Sequence, residues 1–233
     1  MKVIKKERLN TQGFTLVELL VAMAVSLLAI GAIYSTFLSQ FKSYQIQEEI
    51  AAMQQNIRAA MYHMQREIRM AGYDPTGDAG AAIEIANVAE LQFKIDEDGD
   101  GNFTGTSPAP ANDPNEQIRY ALTNDTNGDG IADGSPCNLG RETWSGGLQT
   151  VAENIDALNF VYLDANGNTT ATLDDIRSVE ITIVARTGRS LSPSKNNVVY
   201  ENQQGTTILG AQNDNFSRKR LTAFINCRNL GLN

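Results

Sequence analysis

The segment GFTLVELLVAMAVSLLAIGAIYSTF, residues 13–37, decides the fold because it is apolar over almost its whole length. A helix over Phe14 to Phe37 is about 36 Å long, which is enough to cross a bilayer core of about 30 Å. The apolar region of a cleaved signal peptide is much shorter, so the segment is predicted to be a membrane anchor. One carboxylate, Glu18, lies near its start, although a charge inside a membrane segment is costly and is usually functional.

The charges on either side of the anchor predict its orientation. Residues 1–12 hold four basic side chains against the single acid Glu7, whereas the whole chain has a net charge of −8. Because basic flanks stay in the cytoplasm, the leader is predicted to remain there and the acidic remainder to be exported. The acidic balance also argues against nucleic acid as a partner.

An amphipathic pattern follows the anchor with no helix-breaking residue between them. Its apolar side chains recur every three or four residues and therefore share one helical face. They are Ile46, Ile50, Met53, Ile57, Met61, Met64 and Ile68. Gly72 and Pro75 end the pattern, which predicts one helix over residues 14–71 whose second half packs on the protein's own sheet.

Past residue 73 the apolar residues alternate with polar ones, as in half-buried strands. Strands are predicted at residues 89–95, 117–122, 157–163, 178–186 and 221–227. Residues rich in Gly, Asn, Asp, Ser and Pro separate them and predict long loops at 74–82, 96–115, 124–140 and 187–217. One long helix followed by meandering strands indicates the α+β class, with an antiparallel sheet packed on the amphipathic half of the helix.

The same patterns predict a division of the chain into four parts. These are a cytoplasmic leader (1–13), a transmembrane helix (14–38), an amphipathic helix (39–73) and a β-rich globular region with long loops (74–233).

Two loops have the residue spacing of calcium-binding loops. Alternating oxygen ligands can surround one hard cation, and a glycine permits the sharp turn. The candidate ligands are Asp96, Asp98 and Asp100 in DEDGDGNFTG, and Asp125, Asn127, Asp129 and Asp133 in DTNGDGIADG. Neither loop has the glutamate at its twelfth position that completes an EF-hand. Calcium binding is therefore predicted beside an open alternative, an acidic turn that is only solvated.

The two cysteines, Cys137 and Cys227, are predicted to form a disulfide because the region is exported; two buried free thiols are the alternative. The single histidine, His63, lies off the apolar stripe and is predicted to be solvated. Without a second Cys/His cluster, a zinc site or a catalytic triad is not expected. Asp174 and Asp175 are adjacent, and adjacent residues on a strand point to opposite faces. We therefore predict neither enzymatic activity nor a small-molecule substrate.

The motif G-F-T-L-V-E at residues 13–18, with its basic leader and long apolar helix, resembles the class III signal of type IV pilins and pseudopilins. Four further segments more loosely resemble PilW-type minor pilins, which are related to the J-type minor pseudopilins of type II secretion. These segments are MQREIRMAGYDP, LNFVYLD, SVEITIVAR and RLTAFINCRN.

The resemblance implies that a membrane prepilin peptidase cleaves after Gly13 and that the new amino group of Phe14 is then N-methylated. It implies a single-pass protein of the inner membrane, with its C-terminal region in the periplasm, which later leaves the membrane for a filament at the cell surface. Buried charges persist chiefly when they are paired. Glu18 is therefore expected to pair with the Phe14 amine, of its own subunit or of a neighbour.

The expected function is that of a minor pilin that helps to initiate or cap a type IV pilus. A minor pseudopilin of a type II secretion system and a calcium-dependent tip adhesin remain alternatives. The expected partners are other pilin or pseudopilin subunits, the prepilin peptidase and, before assembly, the inner membrane.

Overall fold

A computed structural model of the chain describes residues 13–103, 115–134, 137–144, 146–190 and 194–231. The chain divides into two compact units, Met1–Gln45 and Ile46–Asn233. The long helix α1, Leu16–Ile68, begins in the first unit and ends in the second. The predicted α+β class is confirmed, and the observed helix is shorter than the predicted range of 14–71 by a few residues at each end.

The first half of α1 exposes its apolar side chains on every side. Each residue from Gly13 to Tyr44 is exposed, with Phe14 at 92 %. The helix is long and apolar enough to cross a membrane. A continuous apolar surface of this size does not persist in water, so lipid or another protein must cover it.

The second half of α1 buries one face, as its spacing predicts. Five of the seven predicted side chains are buried, while Ile46 and Ile50 are half-buried. The helix ends where Gly72 takes a positive φ of 76°, and the Gly72 N–H donates to the carbonyl of Lys94 at 3.1 Å. A side chain at position 72 would lie 2.4 Å from the Leu230 side chain, so this turn requires glycine.

Ten strands follow α1 among the residues that the structure describes, and all their ladders are antiparallel. A five-stranded sheet contains, in spatial order, β1 (Ile83–Ala86), β2 (Glu90–Lys94), β3 (Gln117–Leu122), β4 (Leu139–Thr143) and β5 (Gln149–Ala152). A three-stranded sheet has the order β10–β7–β6, formed by β6 (Ile155–Leu163), β7 (Ser178–Arg186) and β10 (Arg218–Asn226). A separate hairpin consists of β8 (Tyr200–Glu201) and β9 (Thr207–Leu209).

All five predicted strands are present, with their ends within three residues of the predicted ends. The predicted antiparallel strands form two sheets and not one, with β2 and β3 in the first and β6, β7 and β10 in the second, and five further strands are present. The unpredicted strands, β1, β4, β5, β8 and β9, have two to five residues each. Strands this short carry too little alternation to be recognised without their partners.

One apolar core joins the buried face of α1 to both sheets. Its largest fully buried side chains include Met64 from the helix, Tyr120 from the five-stranded sheet and Phe160 from the three-stranded sheet. A smaller cluster lies between the β8–β9 hairpin and the outer face of the three-stranded sheet, where Ile208 and Leu209 contact Ala157 and Val184. Asp174 and Asp175 lie in a short 3-10 helix, Leu173–Asp175, and not on a strand.

Candidate functional site

The three predicted processing and assembly residues, Gly13, Phe14 and Glu18, lie together at the start of α1. Thr15 immediately precedes the helix, and its N–H and its hydroxyl both donate to Glu18 Oε2, at 2.8 and 2.9 Å. The Glu18 N–H donates in return to Thr15 Oγ1 at 3.2 Å. This reciprocal arrangement is a capping box, which satisfies amides that the first helical turn leaves without partners.

The capping box was not predicted, although the T-x-x-E spacing of residues 15–18 is its sequence signal. The box draws the Glu18 carboxylate back towards the N-terminal end of the helix. There it lies against Thr15, the residue after Phe14. Cleavage after Gly13 would free the Phe14 nitrogen, so the carboxylate is held one residue away from a site where a positive charge would appear.

The two predicted calcium loops fold in the same way. In the first, the Asp96 carboxylate accepts the N–H groups of Gly99 and Gly101, at 2.7 and 3.2 Å. In the second, Asp125 accepts those of Gly128 and Gly130, at 2.8 and 2.9 Å. The third and fifth positions of each loop also accept the N–H two residues ahead.

Only the first loop groups its carboxylates in the part of the chain that the structure describes. Asp96, Asp98 and Glu116 have carboxylate oxygens within 4.8 Å of one another. Asp96 and Glu116 are buried, and Glu116 Oε1 accepts the Glu97 N–H at 2.8 Å. Three carboxylates this close repel one another unless a cation or proton compensates them. The cluster is therefore able to hold a metal ion.

Glu116 was missed from the sequence because it lies sixteen to twenty residues beyond the predicted ligands Asp96, Asp98 and Asp100. Antiparallel pairing of β2 with β3 brings it back, through the hydrogen bond of 2.9 Å from the Ile95 N–H to the Glu116 carbonyl. The predicted ligand Asp100 is not part of the group. The signal that could have indicated Glu116 is its position, at the start of the strand that follows an acidic loop.

The second loop does not bring Asp125, Asp129 and Asp133 into a comparable group among the described residues. The Asp133 carboxylate accepts instead from the Thr126 hydroxyl and N–H, which hold the pKa of Asp133 below its usual range. The loop also binds the edge of β6, where the Leu158 N–H donates to the Gly130 carbonyl at 2.9 Å. Its clearest role is to join the two sheets.

The predicted disulfide is absent, and both cysteines are buried free thiols. The Cys137 carbonyl accepts the N–H of Ile155, at the beginning of β6. The Cys227 N–H donates to Arg177, whose own N–H donates to Leu163 at the far end of β6. Cys137 and Cys227 therefore lie near opposite ends of β6. The eight residue steps from Ile155 to Leu163 cover about 27 Å, whereas a disulfide needs Cα atoms within about 7 Å.

A polar network fastens the end of α1 to the five-stranded sheet. The Glu67 carboxylate forms an ion pair of 2.9 Å with Arg141 and accepts a hydrogen bond from the Tyr120 hydroxyl. Burial and the neighbouring Glu67 charge raise the pKa of Tyr120 far above its usual value. His63 is exposed, as predicted, and its ring nitrogen also lies 3.0 Å from the Tyr120 hydroxyl. A cavity of about 520 Å³ adjoins this network.

Comparison with known proteins places these features in a family. The sequence model of the prokaryotic N-terminal methylation motif matches residues 8–34, which contain Gly13, Phe14 and Glu18. The model described as prepilin peptidase-dependent protein B matches residues 46–207, more than half of the chain. The chain belongs to the prepilin peptidase-dependent protein B family.

Membership of this family confirms the predicted relation to type IV pilins and pseudopilins. Among solved structures, the prepilin peptidase-dependent chain is similar to a type IV-like pilin from Thermus thermophilus, with 13 % identity and a TM-score of 0.47. The likeness covers 76 % of this chain and 96 % of that one. None of the curated proteins matches the chain.

Proposed function

We propose that the protein is a minor pilin of a type IV pilus, which assembles through its N-terminal helix and helps to initiate or cap the filament. The observation that carries the proposal is the helix start. An N-terminal methylation motif leads directly into a helix whose apolar side chains are exposed on every side from Gly13 to Tyr44. Such a helix suits two environments in turn, a bilayer and a bundle of like helices.

Before assembly the protein resides in the inner membrane as a single-pass protein, with residues 14–38 in the bilayer. The basic leader, residues 1–13, faces the cytoplasm and residues 74–233 lie in the periplasm. Prepilin peptidase cleaves after Gly13, and the Phe14 amine is then methylated. The charge asymmetry across the apolar segment supports this orientation.

The Glu18 carboxylate pairs with the Phe14 amine during assembly. The capping box supports this role because it holds the carboxylate at the N-terminal end of the helix, beside the peptide that cleavage breaks. In a filament core made of apolar helices, an unpaired carboxylate would be costly. Pairing with the amine of a neighbouring subunit would also select one axial register.

The experiment that tests the function is an in-frame deletion, with electron microscopy of surface filaments and an assay of protein secretion. Loss of filaments with normal secretion, restored by the wild-type gene, is the expected result. Loss of secretion with normal filaments would instead assign the chain to a type II secretion system as a minor pseudopilin. Normal filaments together with normal secretion would contradict both roles.

Family membership favours a structural subunit over an enzyme.

We further propose that the cation held by Asp96, Asp98 and Glu116 is calcium. All three offer carboxylate oxygens, which hard cations prefer, and the glycines of the loop allow the adjustable geometry that calcium accepts. Asp96 lies next to the end of α1, where its N–H donates to the Tyr73 carbonyl at 2.7 Å. Calcium bound there would join the helix end, the first loop and β3. A calcium-dependent tip adhesin would require, in addition, binding to a surface or glycan that calcium removal abolishes.

A further inference from the structure

The solvent-facing side of the second half of α1 carries arginines and a tyrosine in a row. Arg58, Tyr62, Arg66 and Arg69 follow one another at intervals of four, four and three residues, so they share one helical face. All four are exposed, Tyr62 to 71 %. We call these four residues the basic stripe.

The arginines of the basic stripe differ from those inside the fold. Arg119 and Arg218 each form ion pairs with two carboxylates. For Arg58, Arg66 and Arg69, by contrast, no ion pair with a carboxylate occurs within the described ranges. Three arginines that share one face and form no such ion pair stand out in a chain whose net charge is −8.

A surface of matching charge exists on the same molecule. In the loop formed by residues 96–101, which we call the acidic loop, the side chains of Glu97, Asp98 and Asp100 are exposed. Three negative groups on one compact turn complement three positive groups on one helical face. Arginine and tyrosine are also the residues that most often dominate protein interfaces.

We propose that the basic stripe of one copy of the chain binds the acidic loop of a second copy when that loop holds no calcium. Within one copy the acidic loop lies near the C-terminal end of α1, where the Asp96 N–H donates to the Tyr73 carbonyl and Glu97 lines the same cavity as Arg66. The stripe extends in the other direction along the helix, from Arg69 back to Arg58, for about 16 Å.

The two surfaces are different patches of one chain, so the contact is heterologous and differs from the self-complementary contact of a twofold dimer. Parallel copies would bring loop and stripe together when displaced along α1 by about 6–22 Å, the rise between residue 73 and residues 69 to 58. This parallel arrangement rests on the proposed function, whereas the charge-matched contact does not.

Cysteine crosslinking between two tagged copies of the full-length chain tests the contact. One copy carries Tyr62→Cys and the other Asp100→Cys, which leaves Glu97 and Asp98 of the acidic loop in place. The matched control replaces Asp100→Cys by Asp129→Cys, the fifth position of the similarly folded second loop. Membranes from cells that contain no other pilin-type subunit are oxidised in the presence of EDTA, so that no cation neutralises the loop.

The expected result is a product joining both tags that is about fivefold more abundant for the 62–100 pair than for the 62–129 pair. Adding Arg66→Glu and Arg69→Glu to the first copy should remove the excess. Adding Glu97→Arg and Asp98→Arg to the second copy as well should restore the excess of the 62–100 product. Equal amounts of crosslinked product for the two pairs would overturn the proposal. So would an excess of the 62–100 product that the charge-reversing substitutions do not change. Because no filament is needed, such a failure would leave the pilus role to its own test by deletion.

Discussion

Thr15 and Glu18 bind each other through three reciprocal hydrogen bonds of 2.8 to 3.2 Å at the start of the long helix. The glutamate thus has a structural use before any assembly takes place, because it caps the helix. Capping and charge pairing are separable roles. Glutamine can accept the same hydrogen bonds but has no charge, whereas alanine provides neither the hydrogen bonds nor the charge.

We predict that Glu18→Gln impairs entry into the filament as strongly as Glu18→Ala does, because both variants lack the charge that pairs with the Phe14 amine. Prepilin cleavage and membrane insertion should remain normal in both. The measurement is the amount of protein in sheared filaments, relative to the membrane fraction. Thr15→Ala is the matched control, since it weakens the cap and keeps the charge, and it should assemble. Assembly of the glutamine variant at the wild-type level would reduce Glu18 to a helix cap.

Calcium at a hundred times its dissociation constant should stabilise the folded chain by about 2.7 kcal/mol, which corresponds to roughly 5–10 °C in Tm. The detergent-solubilised protein is melted in calcium and in EDTA. Glu116→Gln should abolish the difference, since it removes the charge of one buried ligand, while Asp129→Asn in the second loop should preserve it. The same Tm for the wild-type protein in calcium and in EDTA would contradict calcium binding at this site.

Both cysteines should titrate as free thiols when the protein is unfolded without reductant. In the folded protein they should react slowly, because both are buried and burial raises the pKa of the Cys227 thiol to about 12. This shift also predicts that stability declines as the pH rises above the ordinary thiol pKa of about 8.5, since only the unfolded state then releases the proton. Finding no reactive thiol after unfolding would instead establish a disulfide.

Gly130→Ala should lower the free energy of unfolding by roughly 3 kcal/mol or more. The residue has a positive φ of 82°, and a Cβ atom there would lie 2.2 Å from the Leu158 carbonyl oxygen. Gly128→Ala is a close control. Its φ of 74° is similar, but its Cβ would meet nothing within 4 Å.

The control should cost about 1 kcal/mol, the strain of the left-handed conformation alone. Urea unfolding followed by the fluorescence of the single tryptophan, Trp144, measures both variants. Equal losses of unfolding free energy in the two variants would mean that the second loop can move away from β6 at little energetic cost.

The sequence predicted those features whose physical cause is local. The apolar run, the face that includes Met53 and Met64, and the alternation in β7 each follow from a periodicity that any isolated segment displays. Even the capping box was readable, because its four residues are contiguous. The hexapeptides that begin at Asp96 and Asp125 likewise fold alike, since in each the first aspartate accepts two N–H groups of the same hexapeptide.

Tertiary structure decided whatever depends on residues far apart in the chain. The two loops share a sequence pattern, yet only the first has carboxylates grouped closely enough for a metal, because β2–β3 pairing brings Glu116 to it. Cys137 and Cys227 are a plausible pair in the sequence, but nine-residue β6 lies between their positions. The sequence by itself therefore determined the apolar segment, the helix and most long strands. Only the fold determined which side chains meet, because strand register sets distances that spacing along the chain does not.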